Sequence, residues 1–125
     1  MENVSTLESL DTNTLKLLLR NELARKQEAS QKDFLTFVKH VWPDFIEGKH
    51  HKIYAEKLNR IANGELKRLI VNMPPRHTKS EFASHLFPAF FMGRHPKAKL
   101  IQTTHTGELA IRFGRKAKNM IESTE

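Results

Sequence analysis

The chain has 125 residues, enough for one domain, with 38% hydrophobic residues and a net charge of +7. It has no cysteine, which excludes disulfides, thiolate metal sites and cysteine nucleophiles and fits a reducing compartment. No apolar run approaches the roughly 20 residues of a membrane span. The polar, acidic start MENVSTLESLD has neither the basic end nor the apolar centre of a signal peptide, so a cytoplasmic location is expected.

The first half reads as helical. In DTNTLKLLLRNELARKQEA, Leu15, Leu18, Leu19 and Leu23 share one face at helical spacing and are expected in the core. Ser30-Gln31-Lys32-Asp33 has the spacing of a capping box and is expected to open a second helix, QKDFLTFVKHVW, which should end before Pro43. Phe34, Phe37, Val38 and Val41 form its apolar face. After the connector PDFIEGKHH, the segment HKIYAEKLNRIANG predicts a third helix with Tyr54, Leu58 and Ile61 inward and Gly64 as its stop.

Beyond Gly64 the pattern changes. KRLIVNM, with Leu69, Ile70 and Val71 at its centre, predicts a strand buried on both faces, as in a parallel sheet. SEFASHLFPAFFMG predicts a helix with a kink or break near Pro88, ended by Gly93 and Pro96. AKLIQTTH is a second expected strand. TGELAIRFGRKAKNMIES predicts a closing amphipathic helix, with Leu109, Phe113, Ala117 and Met120 inward and Arg112, Arg115, Lys116 and Lys118 on its other faces. From residue 67 onward the order is strand, loop, helix, strand, helix, which is α/β organisation.

The positive charge is concentrated late in the chain. Residues 1–30 carry 4 basic and 5 acidic groups, residues 31–70 carry 8 and 5, and residues 71–125 carry 9 and 4. A polyanion, either nucleotide or nucleic acid, is the partner such a distribution suggests. At the start of the most basic region lies NMPPRHTKSEF, residues 72 to 82. It has the frame of a phosphate loop, G-x-x-x-x-G-K-[ST], with Met73 and Thr78 in the two glycine positions. In such a loop, N–H groups at a helix N-terminus face the anion and a lysine reaches the outer phosphates, while the serine hydroxyl completes a magnesium shell. Lys79 and Ser80 hold those places, with Arg76 and His77 as further donors. Spacing alone leaves two readings open: a phosphate loop, or a strand-to-helix turn with Pro74-Pro75 as a rigid elbow.

The run RLIVNMPPRHTKSEFASHLFPAFFMGRHP closely resembles the start of the ATPase region in the large terminase subunit of tailed bacteriophages, whose loop has the form P-P-R-H-G-K-S-E. Pro74, Pro75, Arg76, His77, Lys79, Ser80 and Glu81 match that loop; Thr78 stands where the family usually keeps a glycine. The likeness extends to HHKIYAEKLNRIANGELKRLI, LIQTTHTGELA and RFGRKAKNMI, about residues 34 to 122.

The resemblance implies the first β–loop–α–β–α units of a P-loop NTPase parallel sheet (an incomplete α/β fold), with a helical N-terminal region over 1–48 and the start of the ATPase domain over 49–125. It implies a nucleotide site at Pro75, Arg76, His77, Thr78, Lys79, Ser80 and Glu81, with ATP and Mg²⁺ as cofactors and Ser80 on the metal. It places His50 and His51 near where such ATPases contact adenine; a surface histidine pair is the plainer reading of those two. It implies a viral DNA-packaging role in the host cytoplasm, with double-stranded DNA, the small terminase subunit and the portal as partners and a ring of copies in the motor.

The family's Walker B carboxylates, catalytic glutamate and nuclease part have no counterpart here. No catalytic residue is therefore expected within the chain. A truncated or split-gene product is expected, marginal on its own, with nucleotide binding at most and no hydrolysis. A second hypothesis is a small basic helical module that binds DNA or bridges proteins without nucleotide. A third is another phosphate-loop protein such as a small kinase, which the missing glycines and basic surface fit poorly.

Overall fold

A computed structural model describes residues 11–123. The expectation drawn from the acidic N-terminus falls on residues that lie almost wholly outside this range. The elements are α1 (Thr12–Lys32), α2 (Phe34–Val41), α3 (Lys49–Ala62), a π-helical turn (Glu81–Leu86) running into α4 (Phe87–Arg94), and α5 (Gly107–Glu122). Among the described residues there is no strand. The expected parallel sheet is therefore corrected to a helical frame crossed by two segments without regular structure, about residues 65–74 and 95–105.

The reason lies in what a strand requires. The run Leu69–Val71 favours extended backbone, but a ladder needs a neighbouring strand, and neither segment has one. Leu69, Val71 and Met73 lean on the core while Ile70 is 87% exposed, so one face of the first segment is covered rather than both. In the second segment Ile101 is 91% exposed.

Asp33 decides the boundary between the first two helices, and Ser30 does not. Ser30 lies inside α1, where its Oγ donates to the Gln27 carbonyl at 2.7 Å. Asp33 has extended backbone (φ −127°, ψ 124°). Its N–H closes α1 on the Ala29 carbonyl, and its Oδ2 accepts from the Thr36 N–H at 2.8 Å to open α2. At the other end of α2, Trp42 precedes Pro43 and leaves helical geometry (φ −129°, ψ 82°), as a residue before proline is driven to do. Gly64 ends α3 at φ +78°, a left-handed conformation that costs glycine little.

The helix continues through Pro88 instead of breaking. Proline has no N–H, and its ring crowds the carbonyl four residues back. The helix widens just before it: the Phe87 N–H reaches Phe82, five residues back. The Ser84 carbonyl, which Pro88 cannot serve, accepts instead from the Gln102 side-chain amide at 2.8 Å. Gln102→Leu is expected to cost about 1 kcal/mol in a urea titration by leaving that half-buried carbonyl unserved. An unchanged midpoint would show that water takes the amide's place.

The core joins α2, α3 and the π turn with α4. Phe34, Val38, Tyr54, Leu58, Phe82, Leu86 and Phe90 are buried there. Burial of each large apolar side chain contributes about 1.5–3 kcal/mol. Phe34 meets Phe82, Phe87 and Phe90 edge-on, with ring centroids 5.3 to 5.7 Å apart. On α5, Ala117 is buried and Leu109, Phe113 and Met120 are half-buried, matching the expected inner face. The leucine face of α1 does not match: Leu18, Leu19 and Leu23 are exposed. α1 packs against α2 and α4, and Ser30 is its one buried residue.

Candidate phosphate-binding loop

The first irregular segment delivers the chain to Pro74-Pro75, and helical backbone begins again at Lys79. Between them, Arg76 (φ 64°) and Thr78 (φ 62°) both adopt left-handed backbone, the only non-glycine residues among those described that do. A residue carrying a Cβ resists this conformation, and a β-branched one resists it most; the cost is of order 1–3 kcal/mol per residue. Left-handed residues alternating with ordinary ones turn successive N–H groups toward a common concavity, which is how backbone binds anions. The Thr78 carbonyl accepts the first helical bond, from the Phe82 N–H at 2.9 Å, so Thr78 caps the helix whose free N–H groups follow it.

The expected site residues separate into two groups. Arg76, Lys79 and Ser80 stand at the loop without a side-chain partner among the described residues, and Arg76 and Ser80 are exposed. The Lys79 carbonyl accepts from the Tyr54 hydroxyl at 3.3 Å, which ties the helix start to α3. His77 turns its Nδ1 back to the Pro75 carbonyl at 2.9 Å. Pro75 supplies the elbow. Glu81 points its chemistry elsewhere: one oxygen meets His85 Nδ1 at 2.9 Å and the other Lys116 Nζ at 3.1 Å. Burial opposes the Glu81 charge, yet the bonds from His85 and Lys116 outweigh it and hold the carboxyl below its ordinary range. The Glu81 carboxylate is thus engaged by His85 and Lys116 rather than by the loop.

No group of three or more acidic, histidine or cysteine side chains suited to a metal ion occurs among the described residues. The residues present fit a magnesium ion only as a passenger: Ser80 would give one hydroxyl, and nucleotide phosphates and water the other ligands.

The histidine pair divides. His50 is exposed, and His51 is buried at 6% exposure. His51 packs edge-on to Phe45 (4.8 Å) and close to Phe82 (5.4 Å). Its Nε2 lies 2.7 Å from Thr78 Oγ1. This contact spans 27 residues and escaped sequence reasoning; the adjacent histidines were the one visible sign. A groove of about 740 Å³, lined in part by Gln27, Phe37, Phe90 and Arg94, includes no residue of the loop.

Comparison with family models, with curated proteins and with solved structures gave no match.

Proposed function

We propose that the chain binds the phosphates of a nucleotide through the loop 74–81, as the ATP-binding part of a DNA-packaging motor of the terminase large-subunit kind. The observation that supports this best is the pair of left-handed residues, Arg76 and Thr78, set directly before a helix start that carries Lys79 and Ser80. Strained backbone of this kind persists where the surroundings impose it, and it gathers at ligand clamps. The shared P-P-R-H-x-K-S-E run adds the residue types. On this reading Lys79 neutralises the outer phosphates and Arg76 reaches the terminal one, while the N–H groups from Thr78 to Glu81 cradle the anion. Double-stranded DNA, a small terminase subunit and a portal are the partners that go with it.

Titration with a fluorescent ATP analogue in the presence of Mg²⁺ tests the reading. Lys79→Ala is expected to weaken binding at least tenfold, as removal of a charge-assisted contact does. Equal affinity of the two proteins would overturn it. The helical frame and the exposed Arg112 and Arg115 on α5 favour a second reading, a DNA-binding module without nucleotide. That reading predicts salt-sensitive DNA binding that Lys79→Ala leaves nearly intact, and no nucleotide affinity.

A further inference from the structure

Resting on the phosphate-loop reading, we propose that His51 is the positioning residue of the loop: as a neutral imidazole with its proton on Nε2, it holds Thr78 in the left-handed conformation that a glycine would adopt unaided. The hydrogen bonds allow one arrangement of protons. The Gly48 N–H can only donate, and it points at His51 Nδ1 at 2.8 Å. Nδ1 therefore accepts, and in the neutral ring the proton sits on Nε2. Nε2–H then donates to Thr78 Oγ1 at 2.7 Å. The threonine hydroxyl passes its own hydrogen to the His77 carbonyl at 2.6 Å. Donors and acceptors are matched at every step along a chain from α3 to the loop. Thr78 thus has an anchor that glycine lacks, which accounts for a β-branched residue at φ 62°.

Gly48 is part of the device. A Cβ there would lie 2.9 Å from His50 Cε1 and 3.4 Å from His51 Nδ1, so the absence of a side chain lets the imidazoles close over its amide. A second proton on His51 would set Nδ1–H against the Gly48 N–H, donor against donor. The charged and titratable groups around the ring are Glu47, His50 and His77. Burial, then the neighbouring His50, keeps His51 neutral to lower pH than an ordinary histidine; Glu47 opposes this and His77 adds to it. The anchor is complete above the ordinary histidine range and is lost as pH falls through the lowered value.

The test combines ¹⁵N shifts of the His51 ring with fluorescent-ATP titrations of the wild type, His51→Ala, Thr78→Gly and their double variant. The ring shifts at neutral pH should report the Nε2–H form, whether or not nucleotide binds; the Nδ1–H form would overturn the proposal. His51→Ala should weaken ATP binding about tenfold when Thr78 is present and hardly at all when it is combined with Thr78→Gly. An equal loss in both backgrounds would mean that His51 only supports the core. His51→Gln, which keeps a donor and cannot take a proton, should retain affinity and flatten the acid limb of the binding profile; a profile as steep as the wild type's would also count against the anchor. Loss of the Lys79→Ala effect would instead remove the phosphate reading while leaving the ring shifts to judge the anchor.

Discussion

Replacing Phe82 by alanine is expected to lower the unfolding free energy by about 3–5 kcal/mol, the range for truncating a buried aromatic residue. Phe82 is 0% exposed. Other rings surround it: Phe34 edge-on at 5.3 Å, Tyr54 stacked at 5.6 Å, His51 at 5.4 Å and Phe45 at 5.7 Å. Their centroids lie in the range at which aromatic pairs add to simple burial. Removing the ring leaves a void whose neighbours cannot all move inward. Natural domains hold only about 5–15 kcal/mol in total, and a chain this short sits near the low end. Urea denaturation followed by far-UV circular dichroism should show a transition shifted to much lower denaturant, or a broad one. A loss below about 1 kcal/mol would mean that the aromatic cluster collapses to fill the gap, contrary to the packing described.

The second large effect is expected from Asp33→Ala, about 2–3 kcal/mol, from a lost cap and a stranded amide together. One carboxylate oxygen accepts from the Thr36 N–H and Oγ1, at 2.8 and 2.7 Å. The other accepts from Asn59 Nδ2 at 2.7 Å, and Asn59 Oδ1 in turn accepts from the Phe34 N–H at 2.8 Å. Alanine therefore removes the cap of α2 and one of its two hydrogen bonds to Asn59 of α3 at once. Partial burial raises the carboxyl's proton affinity, but the bonds from Thr36 and Asn59, with Lys39 nearby, more than offset this and hold it below the usual aspartate range. A depressed carboxylate contributes stability that is present above the unfolded-state range and lost as pH falls through the folded value. Wild-type stability should therefore decline on acidification below about pH 4, and Asp33→Asn should flatten that decline while costing less than alanine. An acid limb that Asp33→Asn leaves unchanged would assign the decline to other carboxylates.

What could be read from the sequence was whatever depends on neighbours along the chain. α2 and α3 follow from apolar spacing closed by Pro43 and Gly64, α5 from its spacing alone, and Pro88 signalled the departure from α geometry in the turn before it. The loop was legible for the same reason, since Arg76 to Glu81 are contiguous. The failures are matters of long-range partnership. A β-branched run favours extended backbone but cannot specify the strand beside it, so Leu69–Val71 joins no ladder among the described residues. The leucine stripe of α1 shows correct periodicity without a partner to cover it. Ser30 and Asp33 compete for one boundary, and a contact with Asn59, 26 residues away, gives it to Asp33. The hydroxyl at position 78 read as a defect in a glycine site; only the approach of His51 from α3 gives it a use.

The two irregular segments carry a consequence for handling the protein. Open backbone bearing an outward isoleucine, Ile70 in one case and Ile101 in the other, is a template on which further copies can add edge to edge. Each template is preceded by a pair of exposed cations, Lys67 and Arg68 before the first, Lys97 and Lys99 before the second. These act as gatekeepers against self-association. Their repulsion reaches about 10 Å at 0.1 M salt and about 3 Å at 1 M. Colloidal stability therefore depends on keeping ionic strength low, and the high-salt washes that strip nucleic acid from a basic protein would also unmask its stickiest edges.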